Sequence, residues 1–217
     1  MTAITTGSCT TPPLSEACTT TGSESTNGVA YGGVGSSGFY SGIAPGQYTL
    51  SGKISATIDK DLPISNLAAT ITDGKFYSFY QSGVYNSTTK TVDAFIVEDP
   101  FPARVNWSAA HVRFVNAIYN ANPMTLYARH QETGEEFVVG GAIAYKAAGA
   151  FTAVPNGVYD LSTRYAGSAT NVITRPAVSF VFGTVYSITA RGDIAVAHTP
   201  TACAAANRTC LDNTLHR

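Results

Sequence analysis

From Tyr31 onward, short runs of β-branched and aromatic residues alternate with small polar ones and stop at glycine, proline or asparagine. That period-two alternation is the signature of strands with one face buried. Phe39–Ile43, Gln47–Ser51, Lys53–Ile58, Leu67–Ile71, Lys75–Tyr80 and Val92–Val97 are the strands expected in the first half. The second half offers Val112–Ala117, Met124–Ala128, Phe137–Val139, Ala150–Val154, Val158–Arg164, Ala177–Phe182 and Val185–Ala190. Pro45-Gly46, Asp73-Gly74, Asn122-Pro123 and Pro155-Asn156-Gly157 punctuate them, because proline presets φ and glycine tolerates a positive one. Apart from a short turn expected near Trp107–His111, no segment keeps an apolar period of 3.6. Regularly spaced strands with these breaks predict an all-β sandwich or barrel.

The halves repeat one another. Ile43-Ala44-Pro45-Gly46-Gln47-Tyr48-Thr49-Leu50 aligns with Val154-Pro155-Asn156-Gly157-Val158-Tyr159-Asp160-Leu161. Further on, Gly74-Lys75-Phe76-Tyr77-Ser78-Phe79 aligns with Gly183-Thr184-Val185-Tyr186-Ser187-Ile188. Two matches in the same order and at nearly equal spacing point to duplication. The expected fold is therefore two tandem β-sandwich repeats, immunoglobulin-like or transthyretin-like. Residues 1–30 read as a Thr/Ser/Gly-rich arm, 31–100 as the first repeat, 101–195 as the second, and 196–217 as a C-terminal tail.

From Arg113 to Asp193 the chain resembles a bacterial family of exported, often tandem domains of unknown function, the DUF4397-like β-sandwich repeats. Arg113-Phe114-Val115-Asn116-Ala117 resembles the family's opening strand, and Asn122-Pro123 with Met124-Thr125-Leu126-Tyr127 its second. Gly140-Gly141, Pro155-Asn156-Gly157-Val158-Tyr159 and Gly183-Thr184-Val185-Tyr186 complete the pattern. The resemblance implies a β-sandwich outside the cytoplasm and carries no catalytic residues. The first copy departs from it, since residues 1–30 contain no apolar runs matching Arg113–Ala117 and Met124–Ala128. A sandwich short of two strands exposes core and sheet edge. The N-terminal arm, the second repeat or a strand from another molecule is expected to cover that gap.

Charged residues make up only 12% of the 217 positions, against about 25% in an average soluble domain. Net charge is −1, without basic or acidic runs. A nucleic-acid partner or an anionic membrane surface would call for a basic stripe or cluster, so neither is expected. No stretch is long and apolar enough for a membrane helix, and Met1–Ser25 lacks the apolar run of a signal peptide. Cys9 and Cys18 lie near the start, Cys203 and Cys210 near the end, without the spacing of a zinc or redox motif. Local pairs Cys9–Cys18 and Cys203–Cys210 in an oxidising compartment are the simplest expectation, with pairs between the tails or between chains as the alternatives.

Candidate chemistry is sparse. His111, His130, His198 and His216 sit in no catalytic motif, and there is no Gly-x-Ser-x-Gly or His-Glu-x-x-His. Glu132, Glu135 and Glu136 fall in a hairpin loop around Gly134, where solvated charge is expected. Asp59 and Asp61 are too few for a calcium loop, and Arg191-Gly192-Asp193 reads as turn chemistry. No catalytic residue, cofactor or metal is therefore assigned. Asn86, Asn106 and Asn207 each begin an N-glycosylation triplet. Tyr77, Tyr80, Tyr145, Tyr159, Tyr165 and Tyr186 serve either as contact surface or, by preference, as core and cross-strand pairs. The function expected is a structural, self-associating extracellular surface protein, a subunit of a fibre, tubule or sheath joined by strand donation. The alternative is an extracellular module gripping glycans or other surface proteins.

Overall fold

A computed structural model describes residues 3–8, 19–21, 29, 32–35, 39–54, 57–103, 106–196 and 209–216. The chain is all-β, with strands assembled into several open sheets and no closed barrel. It divides into two compact units, Met1–Asp99 and Pro100–Arg217.

The second unit contains β7 (Ala109–Asn116), β8 (Met124–His130), β9 (Glu136–Ile143), β10 (Ala147–Ala148), β11 (Thr152–Pro155), β12 (Gly157–Tyr165), β13 (Ile173–Phe180), β14 (Val185–Arg191) and β15 (Cys210–His216). One sheet runs β13-β12-β8-β9. The other runs β10-β7-β14-β15, with β11 also on β7. Alternate side chains point inward, as Tyr159, Leu161 and Thr163 do along β12. Val112, Phe114, Leu126, Val139, Leu161, Ile173 and Ile188 fill the core at or near zero exposure. Each such side chain contributes about 1.5–3 kcal/mol by leaving water. Tyr159 and Tyr186 belong to this core, and Tyr165 packs against it.

The first unit contains β1 (Ala3–Ser8), β2 (Thr19–Thr21), β3 (Gly46–Lys53), β4 (Pro63–Ile71), β5 (Tyr77–Asn86) and β6 (Thr91–Glu98). Its sheets are β2-β1-β3-β4 and β5-β6. Tyr48, Leu50, Ala69 and Ile71 make a smaller core, with Leu67, Tyr77, Phe79 and Ile96 half-buried around it.

The aligned segments share local geometry. β3 opens at Gly46 with φ 156° and β12 at Gly157 with φ 155°. Tyr48 donates its hydroxyl to the carbonyl of Ala44 at 2.6 Å, and Tyr159 to that of Pro155 at 2.8 Å. Gly74 and Gly183, with φ 68° and 71°, turn the chain just ahead of β5 and β14. A left-handed φ at the same turn twice is what only glycine supplies without strain.

Several expectations change. The arm is not strandless: β1 pairs with β3 (Ser8↔Tyr48, Thr6↔Leu50) as β8 pairs with β12 (His130↔Tyr159, Ala128↔Leu161). β2 lies outside β1 as β9 lies outside β8. These segments are Thr- and Ser-rich, so ladder pairing, of β1 with β3 and of β2 with β1, rather than an apolar pattern makes them strands. Likewise, the C-terminal segment is not merely a tail. β15 completes the second unit's sheet along the whole of β14, with Leu211 fully buried. Of the expected strand Lys53–Ile58, residues 55–56 lie outside the described residues; β3 stops at Lys53, and a turn with Asp59 and Asp61 at positive φ leads toward β4. The turn at Trp107-Ser108 is followed at once by β7. Phe39–Ile43 has no ladder at all, for a reason given below.

Candidate functional site

The duplication makes the second unit a template against which the first can be read. In the second unit β7 runs parallel to β14, with Arg113 opposite Ser187. Arg113 is fully buried, donates from Nε to Ser187 Oγ at 2.7 Å, and lies under the Phe151 ring at 4.8 Å. Ser187 Oγ also meets His216 Nε2 at 2.6 Å, and Phe151 and Phe101 pack against the His216 ring. This is a Ser–His contact, but its Oγ is already engaged on both sides and Ser187 has no exposed surface. The network anchors β7 to β14 and β15.

The first unit holds the same positions with different chemistry. Tyr40 takes the place of Phe151, Ser78 that of Ser187, and Asp99 that of His216. Ser78 Oγ donates to Asp99 Oδ2 at 2.7 Å and Tyr40 Oη to the same oxygen at 2.6 Å. Tyr40 also stands edge-on to Phe76 at 5.4 Å. A buried carboxylate, 1% exposed, therefore occupies the surroundings that in the second unit receive an arginine.

The strand that would carry such an arginine is missing among the described residues, since β5 pairs there with β6 alone. Asp99 N donates to Phe76 O at 2.7 Å, which places Phe76, Ser78 and Tyr80 on the ladder toward β6. By the alternation of an antiparallel pair, Tyr77, Phe79 and Gln81 turn their N–H and C=O groups to the opposite side. In the second unit the corresponding side of β14 serves β7: His111 N bonds Thr184 O, and Ala117 N bonds Ala190 O. The consequence shows in burial. Ser187, Ile188 and Thr189 of β14 are buried, whereas Ser78, Phe79 and Tyr80 are half-exposed. The aligned β11 pairs with β7, whereas Phe39–Ile43 forms no strand and Phe39 is 58% exposed. Among the described residues, no strand lies on the side of β5 away from β6.

Other predicted residues lie elsewhere. Asn86 and Asn106 are exposed; Asn86 Oδ1 accepts from Thr88 and Thr89 N, and Asn106 Oδ1 from Ser108 N. Cys9, Cys18, Cys203, His198 and Asn207 fall outside the described residues. Cys210 is buried and disulfide-bonded, its partner outside the described residues. Asp59 pairs with Lys90, and among the described residues no His/Cys/Asp/Glu cluster could hold a metal ion. Arg191 pairs with Asp212, while Asp193 Oδ1 accepts from Asn120 Nδ2 and Ala195 N. The Arg-Gly-Asp triplet is therefore used within the fold.

Two surface features were not legible in the sequence. A shallow dish is lined by His130, Gln131, Glu132, Asn156, Gly157 and Val158. Its His130 Nδ1 accepts from Glu132 and Thr133 N, and its ring stands edge-on to Tyr159. Trp107, 74% exposed, lies against Gly183, where a Cβ would come within 2.6 Å of the indole. Val181 and Phe182 are about half-exposed on the adjoining segment.

The fold is that of an all-β, sandwich-like protein of two compact units. No family model matches the chain, and no curated protein matches it either. Among the described residues no helix is long and apolar enough to cross a membrane.

Proposed function

We propose that this chain is a structural, self-associating extracellular surface protein, a subunit of a fibre, tubule or sheath whose copies join by strand addition. The observation that supports the reading is that, among the described residues, β5 pairs with β6 alone, whereas β14 of the second unit pairs with both β15 and β7. Tyr77, Phe79 and Gln81 lie along the side of β5 away from β6, ahead of a register shift between Ser82 and Asn86. Low charge density and the disulfide at Cys210 support an oxidising, extracellular setting. The resemblance to exported tandem domains agrees with that setting.

The test is the assembly state of non-reduced protein, by electron microscopy and light scattering. Ordered polymers support the reading; a stable monomer across concentrations overturns it. The exposed Trp107 resting on Gly183, beside Val181 and Phe182, favours a second reading, in which the second unit holds a glycan or a surface protein on an aromatic face. A glycan-binding screen with Trp107→Ala as control tests it.

A further inference from the structure

We infer that β4 of the first unit pairs along its outer edge with β4 of a second copy of this chain, antiparallel and with a two-fold axis at Ala68. The inference rests on the self-association reading and names one of its joints. β4 ends its sheet: it pairs with β3 and, among the described residues, with no other strand. The bonds to β3 fix which groups the outer edge presents. Ile54 N bonds Leu62 O and Asp61 N bonds Ile54 O, so Ile54 faces the β4 side, and by alternation so do Gly52, Leu50 and Tyr48. Their partners Ser65, Leu67 and Ala69 are thereby engaged. Asn66, Ala68 and Thr70 turn their N–H and C=O groups outward, and their side chains are exposed as well.

The second unit shows how such an edge is closed. Ala69 stands opposite Tyr48 as Val178 stands opposite Tyr159, so Ala68 takes the place of Ala177. In β13 that place is a bulge: Ala177 has φ 56°, and its N–H is bonded to Asp160 Oδ1 at 3.1 Å. Arg175 and Pro176 come just before it. Charge, proline and bulge are the devices that keep an edge from accepting another strand. β4 has none of them at this place. Thr49 stands where Asp160 does, the register with β3 is unbroken from Ser65 to Ile71, and Pro63–Ile71 carries no charged side chain. Its proline, Pro63, and its register shift both lie before Ser65.

The occupant is a second copy because this edge is complementary to itself. With the axis at Ala68, Asn66 of one copy lies across from Thr70 of the other on the exposed face, and Leu67 lies across from Ala69 on the inner face. Asn66 Oδ1 is taken by Ser51 Oγ, and the Thr70 hydroxyl donates to Gln47 Oε1. Asn66 Nδ2 is left to donate and Thr70 Oγ1 to accept, so the facing pair can bond across the joint. About six main-chain hydrogen bonds then join the copies. Neither β4 leaves its own sheet, so each unit keeps its fold. A two-fold contact closes into a dimer, and growth of a fibre takes a second, different contact.

Two measurements on the full-length chain test this. First, backbone amide exchange is followed over a concentration series, with light scattering on the same samples. Exchange at Asn66, Ala68 and Thr70 should slow as the chain associates. Exchange there that does not change with concentration, in associated material, overturns this inference and leaves the function reading standing. Second, Ala68→Lys and Ala68→Glu are compared by sedimentation, singly and mixed. Each alone sets like charges against one another across the axis and should weaken association at least about tenfold, while the equimolar mixture recovers it. Association unchanged in both variants, or weakened in both without recovery on mixing, overturns the joint but not the function reading. A wild type that stays monomeric throughout overturns both.

Discussion

The tyrosine bond that recurs in both units gives a quantitative test of the fold. Tyr159 has no exposed surface and packs among His130, Phe137 and Phe180, with ring centroids 4.9, 6.1 and 5.3 Å away. Tyr159→Phe keeps those ring contacts and deletes only the hydroxyl that donates to Pro155 O at 2.8 Å. Pro155 is itself exposed, so water can reach the abandoned carbonyl. The loss is therefore that of one net hydrogen bond, about 1 kcal/mol, and not the larger cost of a stranded buried acceptor. A unit of roughly 120 residues unfolds with about 0.25 kcal/mol per degree of entropy, so its midpoint should fall by about 4 °C. Trp107, the single tryptophan, lies in the second unit, and its fluorescence follows that unit's melting. Tyr48→Phe should leave that transition in place and lower the other, seen by calorimetry. Burial, and secondarily the charge of Glu135, hold the Tyr159 phenol above its usual pKa. A raised folded value means its contribution is intact below about pH 10 and is lost as pH climbs through the folded value. The wild type should lose more stability there than Tyr159→Phe. A midpoint unchanged within a degree, together with identical alkaline limbs, would refute the reasoning.

Further outcomes follow from other contacts. Asp160 Oδ1 accepts from Ala177 N at 3.1 Å and Gln131 Nε2 at 2.7 Å, holding the bulge at which Ala177 has φ 56°. Asp160→Ala should cost about 1–2 kcal/mol in chemical denaturation, and Ala177→Gly should stabilise by up to about 1 kcal/mol. Arg164 holds Glu136 through two bonds and depresses its carboxyl pKa, chiefly by hydrogen bonding. That contribution is present above the unfolded value near pH 4.5 and is lost as pH falls through the folded one. Glu136→Gln should therefore flatten the acid limb while costing less than about 1 kcal/mol at neutral pH, as the pair is partly solvated. Deleting residues 1–21 removes β1 and β2 and should abolish the first unit's calorimetric transition without shifting the Trp107 transition; an intact first transition would contradict the pairing of β1 with β3.

What the sequence determined by itself was whatever depends on local pattern. The all-β class follows from period-two runs broken by turn residues, and the duplication from segments such as Ile43–Leu50 and Val154–Leu161, whose glycines and tyrosines perform the same local tasks twice. The hairpin around Gly134 was legible for the same reason. What only the tertiary structure decided was whatever depends on a partner. Ala3–Ser8 and Cys210–His216 carry little apolar periodicity, and are strands because β3 and β14 offer them ladders. Phe39–Ile43 carries a good strand pattern and is not one, because no described strand stands beside it, whereas its counterpart β11 has β7. Backbone hydrogen bonds in a sheet are satisfied between segments far apart in the chain, so a residue's own neighbours do not say whether they are met. The convergence of Tyr40 and Ser78 on the Asp99 carboxylate likewise exists only once the strands are in place.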